Sequence, residues 1–140
     1  MNNSLKTHNF GDGRGPVPAH HHPNGMGWVA DTAIVVPTAY VGLKATVSGT
    51  SWVGHNVKIT DRARVSGNAQ VNDNAQVSGN AVVNGNAQVS EYAQVNDNVQ
   101  VDDNARVSGN AKVNDNAQVD DNARVSGNAK VSGRAQVSGY

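Results

Sequence analysis

The sequence predicts an all-β protein, a parallel β-solenoid of triangular cross-section, on three observations. From Ala63 to Tyr140 the chain divides without remainder into 13 hexapeptides, beginning Ala63-Arg-Val-Ser-Gly-Asn68 and ending Ala135-Gln-Val-Ser-Gly-Tyr140. Every unit repeats the same polarity and the same turn, so the units are related by a screw operation and cannot be a meander of alternating hairpins. A longer match recurs at 18 residues: Ala105-Arg-Val-Ser-Gly-Asn-Ala-Lys-Val realigns with Ala123-Arg-Val-Ser-Gly-Asn-Ala-Lys-Val. Three units therefore close one coil, which gives three sides.

The unit itself explains the strand. Ala63 and Val65 point one way and Arg64 the other, the period-two alternation of an extended chain. Ser66-Gly67-Asn68 then supplies residues that tolerate a tight turn and positive φ. A six-residue apolar period is incompatible with a helix of about 3.6 residues per turn. In these 13 units the first position is Ala except at Val99, the third is always Val, and the second is long and polar except at Val82. A small first residue and a branched third residue fill a narrow interior.

The same frame runs backwards without insertion. Val57-Lys-Ile-Thr-Asp-Arg62, Ser51-Trp-Val-Gly-His-Asn56, Ala45-Thr-Val-Ser-Gly-Thr50, Ala39-Tyr-Val-Gly-Leu-Lys44 and Ala33-Ile-Val-Val-Pro-Thr38 all fit, and Gly27-Trp-Val-Ala-Asp-Thr32 starts the series. The expected organisation is thus an irregular Gly/Pro/His-rich cap or arm over residues 1–26 and a solenoid of 19 units over residues 27–140. At about 4.8 Å per coil, about six coils stand roughly 30 Å tall.

Composition limits the rest. One Phe, two Trp and three Tyr are present, so a globular core of mixed large side chains cannot be assembled, and Val and Ala must carry the interior. Eleven Lys plus Arg balance 11 Asp plus Glu, which argues against a nucleic-acid or anionic-membrane binder acting through bulk charge. There is no cysteine, so no disulfide frame and no thiolate metal site. No apolar run approaches the ~20 residues of a bilayer span, and Met1-Asn2-Asn3-Ser4 does not open a secretory signal. A cytoplasmic or virion-associated protein is the expectation.

The run Val53-Gly54-His55-Asn56-Val57-Lys58, and each Val-Ser-Gly-Asn-Ala-Gln after it, resembles the bacterial hexapeptide-repeat superfamily over about four-fifths of the chain. The resemblance implies a left-handed parallel β-helix; handedness rests on it alone, since the general preference for right-handed crossovers points the other way. Within that superfamily the Asn-Ala-Gln-Val-Ser-Gly tracts look like those of uncharacterised bacterial and phage hexapeptide proteins.

Residues 18 apart should be vertical neighbours, so outward side chains form columns in which glutamines can build amide ladders. One column reads Trp28, Thr46, Arg64, Val82, Gln100, Gln118, Gln136; the second opens Ile34, Trp52, Gln70; the third opens Tyr40, Lys58, Gln76. Trp28, Ile34, Tyr40 and Trp52 thus place apolar groups where later units carry Gln, Lys or Arg, marking a surface that is either covered by residues 1–26 or used for interaction. The repeat runs to Tyr140 with no terminal cap, leaving strand edges that need cover. Homo-oligomerisation is expected, as a trimer by the resemblance or as an end-to-end dimer from the open edge, with a protein partner as a further possibility.

Four chemical readings arise. The resemblance brings in γ-class carbonic anhydrases, whose zinc needs three histidines on neighbouring rungs, but the repeat region holds only His55, so the ligand set does not carry over. It also brings in hexapeptide acyltransferases, in which a histidine acts as general base; His55 is the candidate by position, although no inserted loop breaks the units. His20 and His22 lie on one side of an extended Pro18-Ala19-His20-His21-His22-Pro23 and could hold a transition metal with His8 or a symmetry mate. Asp102, Asp103, Asp120 and Asp121 stack on one corner, an oxygen-rich arrangement that suits Ca²⁺ unless Arg106, Arg124, Lys112 and Lys130 neutralise it. No cofactor is otherwise expected. An ice-binding face would want Thr columns, which are absent. The function read from the sequence is a non-enzymatic structural or interaction protein, with a divergent acyltransferase or carbonic anhydrase-like enzyme as the alternative.

Overall fold

The computed structural model describes residues 6–10 and 15–138. The described chain contains no helix: 21 strands form one nine-stranded sheet and two six-stranded sheets. Three strands come first, β1 (Thr7–Asn9), β2 (Pro16–His21) and β3 (Trp28–Ala30); each later hexapeptide then contributes one two-residue strand, from Ile34–Val35 to Gln136–Val137. Strands from β3 onward pair in parallel with the unit 18 residues away: Trp28 opposes Thr46, Ile34 opposes Trp52 and Tyr40 opposes Lys58. The fold is a three-sided β-solenoid of about six coils, and the columns have the register expected from the repeat.

The interior is a stack of small and branched side chains. Every first-position Ala and third-position Val from Ala63 to Val119 is fully buried, as is Val99 where Val replaces Ala. Three backbone hydrogen bonds per unit tie one coil to the next. In the unit starting at Ala63, Arg64 donates to Ala81 O, Ser66 to Val83 O and Asn68 to Gly85 O, at 2.8–2.9 Å. With both edges of each inner strand hydrogen-bonded and its one apolar face turned inward, the sheet needs no helical cover.

The corners explain the rest of the repeat. Ala69 N donates to Ser66 O at 3.3 Å, closing a four-residue turn whose second residue, Gly67, has φ 66°. Positive φ at that position alone is the signature of a type II′ turn. The fifth position takes this conformation in every unit from the one starting at Val57 to the one starting at Ala129, whether it is Gly or, as at Asp73 (φ 61°), an acid. The unit starting at Ser51 differs: Asn56 (φ 59°) carries the positive φ one residue later. Of the earlier units, the one starting at Ala45 follows the rule through Gly49 (φ 67°), whereas Pro37, whose ring locks φ near −65°, cannot adopt it.

Residues 1–26 were expected to be irregular, but β1 and β2 pair antiparallel and β2 adds antiparallel to β3, extending the first sheet beyond the repeat. The hairpin carries its own small apolar cluster, in which Phe10, Ala19 and Ala30 are buried with Val17 and Trp28 against them. After β2 the chain turns through Asn24–Gly27 against the first coil, with Gly27 N donating to Val41 O and Val41 N to Asn24 O. The approach is close enough that a Cβ on Gly27 would lie 2.2 Å from Gly42 O, so only glycine fits. At the other end Ala123 and Val125 remain buried while Ala129 and Ala135 are exposed. Tyr140 lies outside the described residues.

Candidate functional site

The four aromatic and apolar outward residues do not form one patch, because successive units lie on successive faces. Trp28 is on the first face, Ile34 and Trp52 stack on the second, and Tyr40 is on the third. Trp28 is half-buried because the hairpin folds over it: the His8 ring stacks on it at 4.7 Å and 15°, and His21 lies 3.9 Å away. Ile34 is 59% exposed and Trp52 37%. Ile34–Val35 is also the outermost strand of its sheet among the described residues, so its main-chain edge adjoins the apolar column.

His8 and His21 meet at Trp28, whereas His20, His22 and His55 each have a different partner. His22 is buried, and its Nε2–H donates to Ala39 O at 2.8 Å, where Asn24 Nδ2 also donates at 3.1 Å. Its work is to satisfy a carbonyl at the exposed end of the solenoid, where no further coil offers a donor. His20 Nδ1 lies 2.7 Å from Asp31 Oδ1, an exposed pair. His8 is held below the ordinary histidine range, first by desolvation through burial and then by the neighbouring His21. His55 sits exposed at a corner, where its Nδ1 and Thr38 Oγ1 share a hydrogen bond of 3.1 Å. Among the described residues no group of three His, Asp or Glu is placed to hold a metal ion.

The acidic corner is brought together as the 18-residue spacing implies. Asp102 is pushed above the usual carboxylate range, mainly by desolvation and then by Asp103, Asp120 and Asp121. Asp103, however, has an internal partner: its Oδ2 accepts the Asp121 N–H at 3.4 Å. The same contact repeats around the molecule, from Asp61 to Gly79, Asp73 to Glu91, Glu91 to Gly109, Asp97 to Asp115 and Asp115 to Gly133. A fifth-position carboxylate is thus a rung of the solenoid.

Amide ladders exist but in a different place from that expected. Among the described residues one pair of column glutamines is joined, Gln136 Nε2 donating to Gln118 Oε1 at 3.4 Å. The sixth-position asparagines carry the rest: Asn80 donates to Asn98 and Asn98 to Asn116, with further pairs Asn86–Asn104 and Asn110–Asn128. The short Asn amide at a corner is held by the turn, whereas the longer Gln side chain on a flat face keeps more rotamer freedom.

Two grooves flank the first coils. One, of about 400 Å³, is lined by the hairpin residues His8 and Phe10, by Trp28, and by Lys44, Arg62 and Arg64 of the first coils. The other, of about 530 Å³, runs beside Tyr40, Lys58 and Asn56. The first was not anticipated from the sequence.

This geometry defines a β-solenoid, a class recognised by its coil and not by a reactive centre. A family model described as the YdcK beta solenoid repeat matches residues 75–91, a stretch inside the most regular part of the chain. No curated protein and no solved structure matches the sequence.

Proposed function

We infer that the chain is a rigid rod that acts through assembly or partner binding, in the manner expected of structural hexapeptide-repeat proteins of bacterial or phage origin. The observation that carries this reading is the unbroken coil: strands recur every six residues from Trp28 to Val137, with no loop inserted between the units. Backbone bonds from each coil to the next make a column that resists bending, a property suited to holding surfaces at a fixed spacing. The interaction surface is the column of Ile34 and Trp52 beside the edge strand Ile34–Val35. It combines exposed apolar area with the outer edge of a sheet, the two features that favour self-association or strand addition. Its occupant in this reading is a second copy of the chain, giving a trimer or an end-to-end dimer. Multi-angle light scattering of the full chain tests it: an oligomer at micromolar concentration is the expected result, and a stable monomer that captures no partner would remove the reading.

His55 offers little for turnover by comparison. A general base is oriented by a hydrogen bond to its second nitrogen, usually from a carboxylate or carbonyl, whereas Thr38 is the partner His55 has.

A further inference from the structure

The groove beneath the hairpin collects cations that have no ion-pair partner among the described residues. Lys44 and Arg62 occupy the sixth position of two successive coils on one corner, and Arg64 lies on the adjoining face. Among the described residues the single ion pair is His20 with Asp31, so none of the three is neutralised by a carboxylate. The nearest acid in sequence, Asp61, already accepts the Gly79 N–H at 3.1 Å. Three like charges lining a groove of about 400 Å³ repel one another unless an anion sits between them.

The repeat shows that these residues are not required by the fold. On the same corner later coils carry Asn80, Asn98 and Asn116, joined as an amide ladder. Lys44 and Arg62 replace the ladder residue only where the hairpin roofs the corner. Arg134 replaces it once more, but its groove contains Asp97 and Asp115. On the face, Arg64 stands in a column that later reads Gln100, Gln118 and Gln136. The hairpin contributes ring surface to the lining: Phe10 is 8% exposed, and the His8 and His21 rings both pack on Trp28.

We propose that this groove binds a small-molecule phosphate or sulfate ester, its oxyanion held by Lys44, Arg62 and Arg64 and its organic group lying under the hairpin toward Leu43. Guanidinium forks pair two oxygens of a phosphoryl or sulfo group at once, and a lysine adds a point charge. The chain's balance of 11 cations and 11 anions fits a local pocket for a small anion and gives no extended basic surface. The proposal does not depend on assembly.

Calorimetric titration of the full chain tests it, using pyrophosphate, a hexose phosphate and the corresponding hexose sulfate at ionic strength fixed with sodium chloride. Saturable heat with either ester supports the site, and the comparison of the two identifies which oxyanion it prefers. Arg62→Asn and Arg64→Gln restore residues that the same corner and column use elsewhere, so the fold should survive; each should weaken binding about tenfold, the loss of one charge-assisted contact. Lys44→Asn provides a third variant should either fail to fold. Arg106→Gln, outside the groove, should leave binding unchanged. Heat no different from that of chloride, or an equal loss in Arg106→Gln, overturns the proposal.

Discussion

Asp115 Oδ2 accepts the backbone N–H of Gly133, one coil ahead, at 3.0 Å, while Asp115 itself holds φ 63°. The contact explains why an acid stands where glycine would seem obligatory. A left-handed conformation costs an L-residue roughly 1 kcal/mol, and a hydrogen bond to a charged acceptor returns about that much or more. Asp115→Ala keeps the conformational cost and loses the acceptor, so it should destabilise by about 1–3 kcal/mol. Asp115→Gly should be close to neutral, since it relieves the backbone as it loses the contact. Urea unfolding of the two variants checks the order; an alanine variant as stable as the glycine one would mean the carboxylate contributes nothing.

The interior is narrow, and its two positions should respond oppositely to size. Ala93 is fully buried against neighbouring valines, so Ala93→Leu overpacks the coil and should cost about 1–3 kcal/mol. Ile59 is the one isoleucine among the third-position valines, and Ile59→Val should cost about 1 kcal/mol, the loss of a single methylene. Chemical denaturation reads both. A leucine variant of unchanged stability would show that the tube is looser than its burial implies.

The acidic corner makes stability depend on pH through Asp102. Its folded-state pKa lies above the ordinary value of 3.8, so the folded protein binds that proton more tightly than the unfolded chain. The resulting stabilisation is complete below the unfolded value and is lost as pH rises through the folded one. At neutral pH, where the carboxylate is ionised in both states, desolvation and the charges of Asp103, Asp120 and Asp121 are a net cost. Asp102→Asn should therefore raise the melting temperature at pH 7 and lose that advantage below about pH 4. A gain of equal size at both pH values would assign the effect to something other than charge.

Much of this architecture is legible in the residues, and the parts that are not have a common cause. The pairing of Gln70 with Gln88 and of Val71 with Val89 follows from the 18-residue match, because a screw of identical units leaves no other register. Asp73 and Asp97 at positive φ were not separable from the glycines they replace until the carboxylate partner one coil ahead was visible. The hairpin of β1 and β2 was missed because Thr7–Asn9 and Pro16–His21 lack the repeat and are rich in residues that usually mark loops. The cationic groove was missed with it, since Arg62 and Arg64 gain meaning only when His8 and Phe10 line the same groove. A signal was present: Lys44 and Arg62 break the run of corner asparagines, and departures from an otherwise optimal repeat are where function accumulates.

The exposed column on the second face bears on assembly. Ile34 and Trp52 are stacked neighbours in register, and the next residues below them are Gln70, Gln88 and Arg106. Glutamine is thus an outward residue that this face demonstrably accommodates, so Ile34→Gln and Trp52→Gln should fold with little change in melting temperature. Replacing two exposed apolar side chains with polar ones removes the area that a second copy would bury, and each large side chain is worth about 1.5–3 kcal/mol when fully buried. The double variant should therefore shift the self-association equilibrium by at least about tenfold toward monomer. Sedimentation velocity across a concentration series measures this against the unaltered chain. An oligomer that persists undiminished in the double variant would move the interface elsewhere, leaving the second face as ordinary solvated surface.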